Sequence, residues 1–283
     1  MSLRVAPRAT KQSPGMRRLL RRFAPRNDME AIMTIKAVFF DQDGVIIDTE
    51  RDGHRVSFNM TFKEFGFTDE WDVEYYHELL QVGGGKERMK HHWKTKGFSK
   101  QLSEEEIDSL VKEMHKRKTT LFVELIETGK LPLRPGIHRF MKEALEAGLK
   151  IAVCTTSNEQ AAKAITEKVL SDIKFELVLA GDVVSKKKPD PEIYNLALSK
   201  LGLQPDEVFV VEDSKNGLAA AKAAGLKTIV TTNHYTEKED VSAGDVIVSC
   251  LGDADVEKAE MRKGEIKDFD GVVHVKQLTG LFG

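Results

Sequence analysis

The sequence predicts an α/β protein, a doubly wound and Rossmann-like parallel sheet into which an all-helical cap domain is inserted. Three observations carry that prediction. Short runs apolar on both faces, such as residues 35–40 and 208–211, read as fully buried strands. From residue 133 onward such runs alternate with segments of helical spacing, the pattern of parallel crossover units. Between the first strand and this alternation, residues 49–131 are mostly helical in pattern.

The elements follow in order. Residues 35–40 form the first strand, which discharges into Asp41-Gln42-Asp43-Gly44 at its carboxyl end. Helices are expected at 55–65 and 74–80, where apolar residues recur at helical spacing. Ser103-Glu104-Glu105-Glu106 has the form of a capping box, opening a helix that runs towards Ile126 and ends at Gly129. Beyond it, helices at 137–147, 159–170, 192–201 and 218–224 alternate with strands at 151–154, 177–180, 208–211 and 228–230. Asp190 and Pro191 suit the N-cap and first position of the helix that Gly202 ends; Gly148 and Gly225 punctuate two others. A late strand is expected at 272–275. The chain thus divides into a core of residues 34–48 and 132–283, a cap of residues 49–131, and a leader of residues 1–33.

Composition narrows the class. With 283 residues, 41% of them hydrophobic and 31% charged, the chain can bury a substantial core. It lacks any apolar run near the roughly 20 residues that a bilayer span requires. Cys154 and Cys250 offer no disulfide framework or metal-binding cluster, which fits a reducing, cytoplasmic compartment. Residues 1–33 carry eight Lys or Arg against two acids, so a leader of +6 precedes a body of −8 within a net charge of −2. That leader suits an extension preceding a domain that opens at Met33. Its arginines also suit a transit peptide, which would place the protein in the plastid stroma, or contact with RNA or an anionic surface. We expect a monomer acting on a small-molecule sugar phosphate, with neither nucleic acid nor membrane as partner.

Four segments carry the chemistry. Residues two apart on an extended chain point the same way, so Asp41 and Asp43 share one site. Two such carboxylates need a cation between them or a proton on one of them, which suggests Mg2+, an acid/base couple, or both. In phosphate transfer one Asp would attack phosphorus and the other would protonate the leaving oxygen. Gly44 would let the backbone turn and direct its N–H towards the phosphate. Thr155 ends the strand at 151–154 and could hold a phosphate oxygen, though it lies among helix-capping residues. Lys188, stiffened by Pro189, is placed to neutralise phosphate charge. Glu212 and Asp213 end the strand at 208–211, and Asp41, Asp43 and Asp213 make a hard-oxygen Mg2+ site with Glu212 beside it. Singly each segment has a bland explanation as a turn, a cap or a solvated charge. All four leave strand carboxyl ends, where open α/β sheets place their ligands.

On these residues the chain resembles the haloacid dehalogenase superfamily, in its phosphatase and phosphomutase branch with a helical cap, over roughly residues 35–250. The resemblance implies that Asp41 is the nucleophile, Asp43 the acid/base, Thr155 and Lys188 the phosphoryl-binding pair, and Glu212 and Asp213 the Mg2+-binding acids. The metal-independent dehalogenases of that superfamily lack the second Asp, so Asp43 argues against that branch.

Within the cap, Tyr75-Tyr76 precedes Val82-Gly83-Gly84-Gly85-Lys86-Glu87-Arg88, where glycine amides and two cations suit a second anionic group. With Thr49-Glu50, Leu133-Arg134-Pro135-Gly136 and Ala180-Gly181-Asp182, this segment is similar to the CbbY-type phosphatases of xylulose-1,5-bisphosphate. That resemblance implies that Glu50 contacts sugar hydroxyls, while Tyr76, Gly84, Gly85, Lys86, Arg88 and Arg134 grip the distal phosphate. A β-phosphoglucomutase-like mutase and a non-catalytic sugar-phosphate sensor on the same fold are the alternatives.

Overall fold

The computed structural model describes Met1 and residues 35–82, 84–129 and 131–283; the expectations for the leader fall outside the described residues. Met33–Gly283 forms one compact unit. Strand β1 (Ala37–Phe40) leads through a π-helical turn at Thr49–His54 into helices α1 (Arg55–Glu64), α2 (Val73–Leu79), α3 (Gly85–Thr95) and α4 (Glu104–Glu127). The chain then alternates through α5 (Ile137–Glu146), β2 (Lys150–Cys154), α6 (Glu159–Ala164), β3 (Leu177–Leu179) and α7 (Glu192–Leu201). It continues through β4 (Val208–Glu212), α8 (Lys215–Ala223), β5 (Lys227–Thr231), β6 (Val246–Val248), β7 (Met261–Lys263) and α9 (Val275–Phe282).

The strands form one sheet in the order β3-β2-β1-β4-β5-β6-β7, parallel except where β7 pairs antiparallel with β6. β1 runs between β2 and β4 and pairs with both. The chain therefore winds outward on one side through β2 and β3, then returns to wind outward on the other from β4. The place where the winding reverses, at the carboxyl ends of β1 and β4, is where a doubly wound sheet leaves a crevice.

Burial explains the apolar strands. Val38 and Phe40 pack into a cluster with Phe140 of α5 and Leu278 of α9, while Ala37 and Phe39 face Ile193 of α7 and Ala220 of α8. With helices on both faces, neither side of β1 meets water, and the sequence shows no polar alternation. The cap has an aromatic cluster of its own, built on Phe58, Phe62, Trp71 and Tyr76 and joined by Tyr235 from beyond β5. Helix α4 begins with the expected capping box between Ser103 and Glu106. Its last turns leave the cap, since Phe122 and Ile126 pack into the sheet's own cluster.

One expected element is corrected, and one helix within the helical segment was not delimited. Residues 272–275 are not a strand: His274 and Gln277 form a capping box that starts α9 at Val275. Two buried valines beside a cap read the same as a short strand until the helix is seen. Helix α3 also went unassigned, because Lys86, Arg88, Lys90 and Lys94 obscure a face that buries only Met89 and His92.

Candidate active site

The four motif segments converge at the crevice. Asp41 follows β1, Thr155 follows β2, Lys188 lies between β3 and α7, and Asp213 follows β4. Together with Asp43, Gly44, Glu50, His77, Leu80 and Gln81 they line a cavity of about 470 Å³. Its floor belongs to the sheet, and its roof to α2 and the turns beside it.

Lys188 organises the floor. Its Nζ reaches Asp41 Oδ1 at 2.5 Å and Glu212 Oε1 at 2.7 Å, with all three side chains buried. The Tyr194 hydroxyl also donates to Glu212. Despite its burial, Lys188 is raised above the ordinary lysine value by the carboxylates of Asp41 and Glu212. The carboxylates still outnumber the cation. Burial pushes Asp41 up to about 7 against the pull of Lys188, with the charges of Glu212 and Asp43 adding to the rise. Burial, then the charges of Asp41 and Glu212, hold Asp213 well above the usual carboxylate range.

Carboxylate oxygens of Asp41, Glu212 and Asp213 all lie within 4.8 Å of one another. Clustered buried oxygens with unbalanced negative charge, lining a cavity, fit a hard divalent cation. Asp43 does not belong to this cluster, contrary to expectation: its Oδ1 accepts from the Thr49 hydroxyl at 2.6 Å and its Oδ2 from the Ser157 hydroxyl. Burial raises the Asp43 carboxyl above its ordinary value, against the Thr49 hydrogen bond and assisted by the nearby charge of Glu50. Two neighbouring buried carboxyls held by different partners, one by a lysine and one by hydroxyls, can take different roles in proton and group transfer.

Gly44 is required for closeness. Its φ is +78°, and a Cβ there would stand 2.1 Å from Asp213 Oδ2 and 2.6 Å from Asn233 Nδ2. Its amide, expected to face phosphate, instead donates to the Ile47 carbonyl at 2.7 Å, because the turn after β1 closes upon it. Thr155 is buried at the cavity edge, where its Oγ1 accepts from the Ser157 amide at 3.0 Å.

The cap residues separate into two groups. Glu50 lines the cavity, its Oε2 accepting from the Tyr76 hydroxyl at 2.7 Å and lying 3.7 Å from Arg88 Nη1. Tyr76 itself is fully buried in the aromatic cluster, so it positions Glu50 and Arg88 and does not face the cavity. Lys86 is exposed at the start of α3. Gly84 has a φ of +94°, and a Cβ on Gly85 would meet the His115 ring at 2.9 Å, so close packing of α3 on α4 already accounts for Gly85.

Arg134 is placed differently from expectation. Its guanidinium donates to the carbonyls of Gly44, Thr231, Thr232 and Ser249, which ties the turn after β1 to the ends of β5 and β6. A guanidinium satisfied by backbone oxygens has no fork left for a phosphate. Among residues to which the sequence assigned no role in the site, Ser157 and Thr49 hold Asp43, Asn233 donates to Asp213 Oδ2 at 2.8 Å, and Lys118 bonds His54 Nδ1 at 2.7 Å. Burial and the Lys118 charge hold His54 well below its ordinary value, and burial lowers Lys118 to about 8. Only Ser157 carried a signal, as one of two residues suited to capping α6; Asn158 makes that cap and leaves the Ser157 hydroxyl for Asp43.

Comparison with known proteins agrees with this geometry. The model of the haloacid dehalogenase-like hydrolases matches residues 35–225. A CBBY-like protein of Arabidopsis thaliana is 49% identical over 229 residues, spanning 80% of this chain and 72% of the relative. A mutant CbbY of Rhodobacter sphaeroides, solved in complex with xylulose-(1,5)bisphosphate, is 38% identical with a TM-score of 0.63, over 76% of this chain and 94% of that one. A phosphoglucomutase-like protein of Thermotoga maritima is 27% identical with a TM-score of 0.61, over 75% and 93%. The chain belongs to the haloacid dehalogenase-like hydrolases, as a CbbY-like phosphoric monoester hydrolase.

Proposed function

We propose that the protein is a Mg2+-dependent sugar-phosphate phosphatase that works through an aspartyl phosphate, with a pentose bisphosphate such as xylulose-1,5-bisphosphate as substrate. The observation that carries this reading is the division between two neighbouring carboxyls. Asp41 is bound to Lys188, while Asp43 is held apart by the hydroxyls of Thr49 and Ser157.

Asp41 attacks phosphorus in line, forming an oxygen–phosphorus bond as the bond from phosphorus to the sugar oxygen breaks. Asp43 delivers its proton to that departing oxygen. When water enters, Asp43 takes a proton from it, the water oxygen bonds phosphorus, and Asp41 is released as a carboxylate with free phosphate. Lys188 offsets negative charge on the transferring oxygens, and Thr155 accepts or donates at their edge. Asp41, Asp213 and Glu212 would hold Mg2+, which supplies positive charge against the phosphoryl group. Glu50 contacts the sugar hydroxyls, positioned by Tyr76. Lys86 and Arg88, with the amides of Gly84 and Gly85, receive the distal phosphate.

A screen of phosphate release over pentose and hexose mono- and bisphosphates tests this directly. Preference for a pentose bisphosphate, lost in excess EDTA, is the expected result. Activity that survives EDTA would remove the metal, and interconversion of hexose phosphates without free phosphate would favour a mutase, the reading suggested by the Thermotoga maritima relative.

A further inference from the structure

A second cluster of metal-ligating side chains stands beside the cavity, outside the catalytic carboxylates. Glu74 and His77 lie three residues apart on α2 of the cap, hence on one face. His234 lies in the core, in the turn after β5. One ligand atom from each comes within 4.8 Å of the other two, and His234 Nε2 is 3.1 Å from Glu74 Oε1.

We propose that Glu74, His77 and His234 bind a transition-metal dication of the zinc class, and that its occupancy clamps the cap to the core and slows turnover. Two imidazoles and one carboxylate are the donors such an ion takes, whereas Mg2+ prefers hard oxygens, so the two sites select different metals. Ligand atoms about 2.1 Å from a tetrahedral ion stand roughly 3.4 Å apart. The Glu74–His234 pair already meets that spacing. The remaining closure falls to His77, whose ring centroid stands 6.1 Å from that of His234, with Glu74 exposed and able to follow.

The position explains the effect on turnover. His77 lines the catalytic cavity, and α2 forms part of its roof. His234 sits in a turn closed by Asn233, whose Oδ1 accepts from the amides of Tyr235 and Thr236. The Asn233 amide group also donates to Asp213, and Tyr235 packs into the cap's aromatic cluster. An ion on His77 and His234 therefore joins the roof to the turn that steadies a catalytic carboxylate. It binds only when cap and core are together, so it draws the population towards the closed form.

Only the effect on turnover rests on the phosphatase reading; binding can be measured without it. Co2+ is titrated into the full-length protein saturated with Mg2+, following the intense visible absorption of tetrahedral cobalt. The proposal expects one Co2+ equivalent, at least tenfold weaker binding in His234→Ala and in Glu74→Gln, and an unchanged band in Asp213→Asn. Phosphate release, compared with and without Zn2+ within each variant, should be inhibited in the wild type and lose that inhibition in His234→Ala. No tetrahedral band in the wild type, a band unchanged in His234→Ala, or one abolished by Asp213→Asn would each overturn the proposal. The first two would leave Glu74 and His234 as an ion pair only, and the last would place the ion on the catalytic carboxylates. Binding that behaves as expected while no phosphate ester is turned over would overturn the phosphatase reading and leave the metal site standing.

Discussion

The floor and the roof of the cavity are built in opposite ways. On the floor, Asp41, Asp43, Glu212 and Asp213 are fixed at strand ends, and each carboxylate is held by a named hydrogen-bond donor: Lys188, Thr49 with Ser157, Lys188 with Tyr194, and Asn233. On the roof, short helices present side chains that are partly or wholly exposed, with Glu50 one-third exposed and Lys86 at the surface. Preorganised charge in a buried site acts without reorganising during the reaction, so chemistry belongs on the floor. Recognition of the remainder of a substrate tolerates adjustable partners, and it suits the roof.

The largest effect should come from the floor. Asp41→Asn keeps the shape and removes the nucleophile, and turnover should fall by at least about 1,000-fold, equivalent to roughly 4 kcal/mol. Steady-state phosphate release measures it, and turnover near the wild type would remove Asp41 from the reaction. Lys188→Met tests whether the floor is also a structural centre. It leaves the Asp41 and Glu212 carboxylates buried without their shared cation, a loss of about 3–5 kcal/mol in unfolding free energy. Denaturant titration reads that loss, and a change under about 1 kcal/mol would show that the carboxylates find other partners.

Arg134 sharpens the comparison, because it was expected on the substrate and instead holds the floor together. Arg134→Ala leaves the carbonyls of Gly44, Thr231, Thr232 and Ser249 without their donor, at roughly 2–4 kcal/mol of stability. The KM ratio between a bisphosphate and its monophosphate should stay constant. A selective rise for the bisphosphate would return Arg134 to the distal phosphate.

These residues also show what a sequence reveals. Asp41 and Asp213 were legible because each sits next to a strand end, and Lys188 because Pro189 and the following helix fix the loop that carries it; the order of strands then dictates that they meet. Arg134 was not, since its partners lie at residues 44, 231, 232 and 249 and no local pattern joins them. Thr49 and Ser157 look like ordinary turn and capping residues, and only the return of β2 beside β1 puts the Ser157 hydroxyl on Asp43. Tyr76 was recognised as important, but its direction was wrong, because an aromatic cluster in the cap claims its ring and leaves only its hydroxyl for Glu50. Helix α3 was hidden by its own charge. Contacts set by topology were readable from motifs, while those set by a single side chain's rotamer were not.

The smallest effect should come from the roof. Lys86 is exposed, so its attraction to a distal phosphate is weakened by water and by salt, and such a contact contributes on the order of 1 kcal/mol. Lys86→Ala should raise KM for a pentose bisphosphate about fivefold while kcat holds, since the contact is equally present in the ground state and the transition state. For the matching monophosphate KM should not move. Raising the ionic strength should shrink the difference between wild type and variant, which a loss caused by misfolding would not do. Equal KM changes for both substrates would move the distal phosphate away from Lys86 and leave Glu50 and Arg88 as the residues that set substrate choice.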